Sequence, residues 1–236
     1  MTSDLTPPGA AATPRTAPGL APARTLGLTL LIIAKAPVPG RVKTRLTPPY
    51  TPEEAARLAE AALVDTLRVA LAVPARRRVL VLDGVPGGWL PDGVEVVPQC
   101  AGGLDERLAD AFGVCAGPAL LLGMDTPQVS PELLAPALAV DAWRTADAWF
   151  GPAADGGFWA LGLAAPDPGL LRGVPMSTPT TGAVQRARLT AAGLRVRDLP
   201  VLRDVDTAAD AAAVAAAAPG TRFAGELARL AGAGRR

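Results

Sequence analysis

The sequence predicts a single three-layer αβα sandwich, doubly wound around a mainly parallel central sheet, and three observations carry that prediction. From Thr25 onward, short apolar runs alternate with longer stretches of helical periodicity, the sequence form of repeated βαβ units. Half of the residues are apolar but only 4% are aromatic, so the core has to be built from Ala, Val and Leu, as it is where helices pack on a sheet. Helix starts are written out twice as a hydroxyl residue followed by Pro and Glu, at Thr51-Pro52-Glu53 and Ser130-Pro131-Glu132.

Taken in order, residues 1–25 are Pro/Ala/Thr-rich without periodicity, which predicts a flexible tail ahead of one domain over residues 26–231. The first strand is Leu28 to Ala34. Thr51 caps a helix that Ala56, Leu63 and Leu67 continue to about Leu71. Arg78 to Leu82 and Val94 to Val97 read as strands, Leu104 to Val114 as a helix, and Ala119 to Leu122, unbroken in its apolar character, as a buried strand. Ser130 opens another helix. Thr145 to Phe150 and Phe158 to Leu163 read as strands on either side of a Gly151–Gly157 loop. A helix over Gly182 to Ala192, a strand over Leu194 to Leu199 and a final helix after Thr207, through the Ala-rich run 208–218, complete the pattern, with a frayed end at 232–236.

Composition narrows the chemistry. With 23 basic and 22 acidic residues the net charge is +1, so no global field draws the chain to nucleic acid or to an anionic membrane, and any anion site has to be local. The longest strongly apolar stretch, Leu26 to Ala34, falls short of the roughly 18 residues a membrane helix needs. A signal-peptide reading of that stretch would place Lys35 inside its cleavage site, against the pattern. Cys100 and Cys115 are too few for a disulfide framework, which fits a reducing cytoplasm. There is no histidine, so Ser-His-Asp triads, Cys-His dyads and His-ligated zinc are excluded; carboxylates, cations and hydroxyls, with or without a metal, have to do the work.

Ligands of open α/β sheets lie beyond the carboxyl ends of the strands, so the loops there hold the candidates. Lys35-Ala36-Pro37-Val38-Pro39-Gly40-Arg41-Val42-Lys43-Thr44-Arg45 sets four cations in eleven residues, stiffened by two prolines and turned at Gly40; it reads as a polyphosphate loop or as a solvated basic turn. Asp125, in Gly123-Met124-Asp125-Thr126-Pro127, follows the buried strand and suits a Mg²⁺ bridging phosphates, or a turn cap. Asp155-Gly156-Gly157 is a turn signal whose glycines permit close approach to an acceptor, with Phe158 and Trp159 as pocket wall or core. Asp204 and Asp206, two apart on an extended segment, point the same way and either complete a metal site with Asp125 or cap the next helix. Gln99 with Gly102 precedes a helix start suited to a nucleotide, and Ser177 and Thr178 lie in a hydroxyl-rich loop that touches substrate or caps a helix.

In that order, the segments 34–46, 123–127, 152–159 and 204–207 resemble the bacterial DUF2064 family, within the nucleotide-diphospho-sugar transferase (GT-A) superfamily, over about Leu28 to Ala212. The 2-phospho-lactate and molybdenum-cofactor guanylyltransferases are more distantly similar. The resemblance implies that Arg41, Lys43 and Arg45 hold phosphates and that Asp125 is the main metal ligand, assisted by Asp206. The family's usual Gln-x-Gly-x-x-Leu-Gly-x-Arg-Leu stands here as Gln99-Cys100-Ala101-Gly102-Gly103-Leu104-Asp105-Glu106-Arg107-Leu108, with Asp105 in place of a glycine.

The combined expectation is a cytoplasmic, Mg²⁺- or Mn²⁺-dependent transferase using a nucleotide donor. Lys43, Asp125 and Asp155 are the catalytic candidates; Lys35, Gly40, Arg41, Lys43, Arg45, Gln99 and Gly102 bind the donor; Asp155, Gly156, Gly157, Ser177 and Thr178 meet the acceptor; Asp125, Asp206 and Asp204 hold the metal. Three cations suit a triphosphate, which favours nucleotidyl transfer to a small phosphorylated acceptor over glycosyl transfer from a nucleotide sugar; a non-catalytic nucleotide-binding protein is the third reading, and a homodimer stays open. All of this requires Lys43 and Asp125 to share one cleft.

Overall fold

A computed structural model of the chain describes residues 27–233, so the tail expected over 1–25 lies outside the described residues. Its centre is a seven-stranded sheet in the order β3-β2-β1-β4-β6-β5-β7. The strands are β1 (Thr29–Lys35), β2 (Arg77–Asp83), β3 (Glu95–Pro98), β4 (Ala119–Gly123), β5 (Ala148–Pro152), β6 (Phe158–Leu163) and β7 (Val196–Asp198). Only β6 runs antiparallel, between β4 and β5. The sheet is therefore mixed but mostly parallel, as the run of alternating elements predicts.

The side-chain period of two decides which layer each residue joins. In β1, Leu30 and Ile32 pack under α1 (Pro52–Ala72) and α3 (Pro131–Leu138), whereas Leu31 faces Leu108 and Phe112 of α2 (Leu104–Gly113) and Leu189 of α5 (Thr181–Ala191). A third apolar cluster lies behind α1, where Leu58 and Ala62 meet α6 (Ala208–Ala217) and α7 (Arg222–Ala233). Helix α1 is thus buried on two sides. Its N-terminus is the expected capping box: Thr51 Oγ1 accepts from the Glu54 N–H at 3.2 Å and Glu54 accepts from the Thr51 N–H at 2.9 Å.

Two departures from the sequence expectation have physical causes. Thr145 does not begin a strand; it ends a one-turn helix, α4 (Ala142–Thr145), and β5 starts at Ala148. The final helix is two helices broken at Pro219-Gly220, and the second runs through the supposed frayed residues 232 and 233. Asp65, buried on α1, caps that second helix by accepting the N–H groups of Arg222 and Phe223 at 3.0 and 2.9 Å.

Among the described residues no helix is long and apolar enough to cross a membrane.

Candidate active site at the carboxyl edge of the sheet

Strand order reverses between β1 and β4, and the loops leaving that pair, carrying Lys43 and Asp125, open a cavity of about 860 Å³. The β1 loop turns at Gly40, whose φ of 74° suits a residue without Cβ, and again at Lys43, which takes φ 49° at the head of a short 3-10 turn over Thr44–Leu46. That second turn carries the Lys43 side chain inward, only 8% exposed, while Arg45 remains 73% exposed at the rim.

Lys43 and Asp125 do share the cleft. The Lys43 ammonium stands 2.7 Å from Asp125 Oδ1 and 3.7 Å from Asp206 Oδ1, and it donates to the Val205 carbonyl. Arg45 reaches the other oxygen of Asp206 at 3.3 Å. The acids at 204 and 206 arrive on a strap, residues 199–206, laid across the sheet's carboxyl edge. The strap is stitched down by backbone bonds from Leu199 to Phe150, Leu202 to Pro152 and Val205 to Asp125. Val205 turns into the third core, which leaves Asp204 and Asp206 lining the cavity, as their alternation predicts.

Three carboxylates, Asp125, Asp204 and Asp206, bear on the buried Lys43 ammonium, and Asp155 adds its charge to Asp204. Burial first, then the charges of Asp125, Asp155 and Asp206, push the Asp204 carboxyl up to about 7, with Lys43 opposing them. Asp204 Oδ1 is buried with no hydrogen-bond partner. A buried carboxylate oxygen without a donor, in a set of acids short of positive charge, fits a divalent cation. Among the described residues no three acidic, His or Cys side chains form a metal cage by themselves, so a cation at these acids would need further oxygens from a bound ligand.

Lys35, Arg41, Arg45, Gln99, Gly102, Asp155, Gly157, Ser177 and Thr178 also line this cavity. Gly40 and Gly156 do not. Gly40 makes the turn that returns the basic loop, closed by the Arg41 N–H on the Val38 carbonyl at 3.0 Å. Gly156, at φ 93°, packs so closely on the next loop that a Cβ would lie 1.9 Å from the Pro179 carbonyl oxygen, so its role is to seat the Ser177–Thr178 segment. Ser177 itself holds φ 58°, a strained value for a residue with a Cβ.

Gln99 lines the cavity with its amide already committed. Nε2 donates to the carbonyls of Ala34 and Val81 at 2.8 and 3.1 Å, and Oε1 accepts from Arg107 at 3.1 Å. It braces the ends of β1 and β2 and has no amide hydrogen left for a base. Arg107, not among the predicted residues although it stands in the quoted segment eight positions on, also pairs with Asp83 at 3.2 Å and bonds the Gly102 carbonyl at 3.1 Å. Asp105, the residue in place of the family's glycine, accepts the Gly173 N–H at 2.7 Å and so ties α2 to the far wall. Trp159 is wall and core at once, buried yet lining the cavity, with Nε1 on the Pro200 carbonyl at 3.0 Å.

The family model for uncharacterized proteins conserved in bacteria (DUF2064) matches residues 57–178. Among curated proteins none matches. A Desulfovibrio desulfuricans G20 protein assigned as a nucleotide-diphospho-sugar transferase is similar at 27% identity and a TM-score of 0.68, over 77% of this chain and 83% of that one. The Mycobacterium sp. strain JC1 homologue of Mycobacterium tuberculosis Rv0371c follows at 21% identity and 0.52, over 80% and 96%. The 2-C-methyl-D-erythritol 4-phosphate cytidylyltransferase of Thermus thermophilus shares the fold at 17% identity and 0.50, over 82% and 100%.

Proposed function

The chain belongs to the DUF2064 family, and from that premise we propose that it is a transferase taking a nucleotide donor, whose polyphosphate lies between the basic β1 loop and the acids of β4 and the strap. The observation that carries the reading is the meeting of Lys43 with Asp125 and Asp206 where the strand order reverses, inside a cavity large enough for a nucleotide. Nucleotidyl transfer from a nucleoside triphosphate is the first form. Glycosyl transfer from a nucleotide sugar is the second, supported by the Desulfovibrio relative at 27% identity.

Mg²⁺ or Mn²⁺ would be held by Asp125, Asp206 and Asp204, and would supply neutralisation of charge on the leaving phosphate. The remaining work falls to the chain. Lys35, Arg41 and Arg45 at the rim bind and orient phosphate oxygens, and the buried Lys43 ammonium stabilises negative charge as it develops. Asp155 accepts a hydrogen bond from the acceptor and fixes its approach. No histidine base is needed, because positioning and electrostatics dominate such transfers.

Calorimetry of nucleoside triphosphates and nucleotide sugars, each with Mg²⁺, tests the reading and separates its two forms: tight binding confined to nucleotide sugars selects the glycosyl form, and no binding of either refutes both. Asp125→Ala should abolish release of pyrophosphate or nucleoside diphosphate during turnover. Full turnover by that variant would remove the metal assignment.

A further inference from the structure

Charge in the cavity is divided by topology. Among the described residues every cation that lines it comes from the β3-β2-β1 half: Lys35, Arg41, Lys43 and Arg45 from the β1 loop, and Arg107 from α2. The opposite wall is made by the β5–β6 turn and the loop ahead of α5. It offers Asp155, Ser177 and Thr178 as polar groups, backed by Phe158 and Trp159, and among the described residues no Lys or Arg of that half reaches the lining. Its neighbouring arginines are spent elsewhere, Arg186 on Asp198, Arg188 on the Arg172 carbonyl and Arg203 on Asp210.

Two polar groups on this wall have capacity to spare. Asp155 uses Oδ1 on the Gly157 N–H at 2.8 Å, and among the described residues its other oxygen has no partner. The exposed Ser177 hydroxyl, on a residue of the cavity lining at φ 58°, is likewise unpartnered among them. Thr178 Oγ1 is taken up locally, 3.2 Å from the hydroxyls of both Thr180 and Thr181 and accepting from the Thr180 N–H at 3.4 Å, so it forms a fixed polar edge of the wall. A carboxylate or second phosphate laid here would meet Asp155 with no counterion, whereas a hydroxyl donates to Asp155 and exchanges hydrogen bonds with Ser177, beside the fixed Thr178.

Resting on the transferase reading above, we propose that the acceptor presents an uncharged, hydroxyl-bearing surface, that of a sugar or polyol, to Asp155, Ser177 and Thr178. Any anionic group it carries is confined to the reacting end beside Lys43. The phosphorylated acceptor expected from the sequence is thereby narrowed: its phosphate has no place on this wall.

Glucose and glucuronate test this, because they share a ring and differ only in a hydroxymethyl against a carboxylate. Saturation-transfer NMR titrations of both are run on the protein loaded with Mg²⁺ and whichever nucleotide calorimetry identifies. Glucose should bind at least about tenfold more tightly than glucuronate. Asp155→Asn, which keeps the bond to the Gly157 N–H through its amide oxygen, should bring the two within about twofold. Equal or tighter binding of glucuronate by the wild type, an unchanged ratio in the variant, or no signal from either sugar while nucleotide is bound would each overturn the proposal. Nucleotide calorimetry on the same samples tells this failure from failure of the transferase reading: bound nucleotide with the wrong sugar preference removes only the acceptor assignment.

Discussion

Asp204→Asn isolates the carboxyl that the site treats worst. In the folded chain Asp204 holds its proton until about pH 7, whereas the unfolded chain releases it near 3.8. Between those values the native state binds more protons than the unfolded state, so this group's contribution is fully present below about pH 4 and is lost as pH rises through 7. At about 1.36 kcal/mol per pH unit, the ceiling on the loss is roughly 4 kcal/mol. Water in the open cavity screens part of that, so about 2 kcal/mol is expected, or 4–8 °C in Tm for a domain of this size. An asparagine stays neutral throughout. In chelator, the variant should therefore melt some 4–8 °C above the wild type at about pH 8 and level with it at about pH 4, because titrating groups remote from Asp204 cancel in the difference. Scanning calorimetry across that range reads it. With Mn²⁺ added, the order at high pH should narrow or reverse, because the wild type gains a ligand that the variant lacks. A difference in Tm that ignores pH, or a less stable variant at pH 8, would refute the picture of an uncompensated buried acid.

Three further outcomes follow from contacts in the same structure. Lys43→Met removes the one buried cation from among Asp125, Asp204 and Asp206; it should cost about 3 kcal/mol in chelator, with Mn²⁺ restoring more Tm than it adds to the wild type, and equal Mn²⁺ increments in both proteins would contradict this. Gly156→Ala drives a Cβ onto the Pro179 carbonyl and demands a left-handed alanine, so about 2–3 kcal/mol should be lost on chemical denaturation, with weaker acceptor binding and unchanged nucleotide binding. Asp65→Ala strips the acceptor from two N–H groups at the start of α7 and should cost about 2 kcal/mol, read as an earlier urea midpoint at constant slope.

What could be read in the sequence was what neighbours in the chain decide. Thr51-Pro52-Glu53-Glu54 contains its own cap, so α1 was legible to within a residue. Asp204 and Asp206 could be assigned to one side because extended chain alternates, with Val205 as the buried residue between them. What stayed hidden depends on distant partners. Two of the first amides of α7 find their acceptor on α1, 157 positions away, so Pro219-Gly220 and the Thr221 hydroxyl, which accepts from the Ala224 N–H at 3.1 Å, mark only part of that helix start. Gln99 looks like a nucleotide contact until the carbonyls of Ala34 and Val81 are found to hold its amide. Lys43 looks like a phosphate ligand equal to Arg41 and Arg45, and only the turn at φ 49° reveals that it points inward to the acids while they stay outside.

The third apolar cluster contains both Leu46, next to the basic loop, and Val205, between the two strap acids, together with Ala211, Val214 and Phe223 from the last two helices. The opposing charges of the site are thus anchored in one greasy footing, laid jointly by the beginning and the end of the folded chain. Cutting the protein after Thr207 would leave every charged side chain of the site in the polypeptide and yet take away the floor on which they stand.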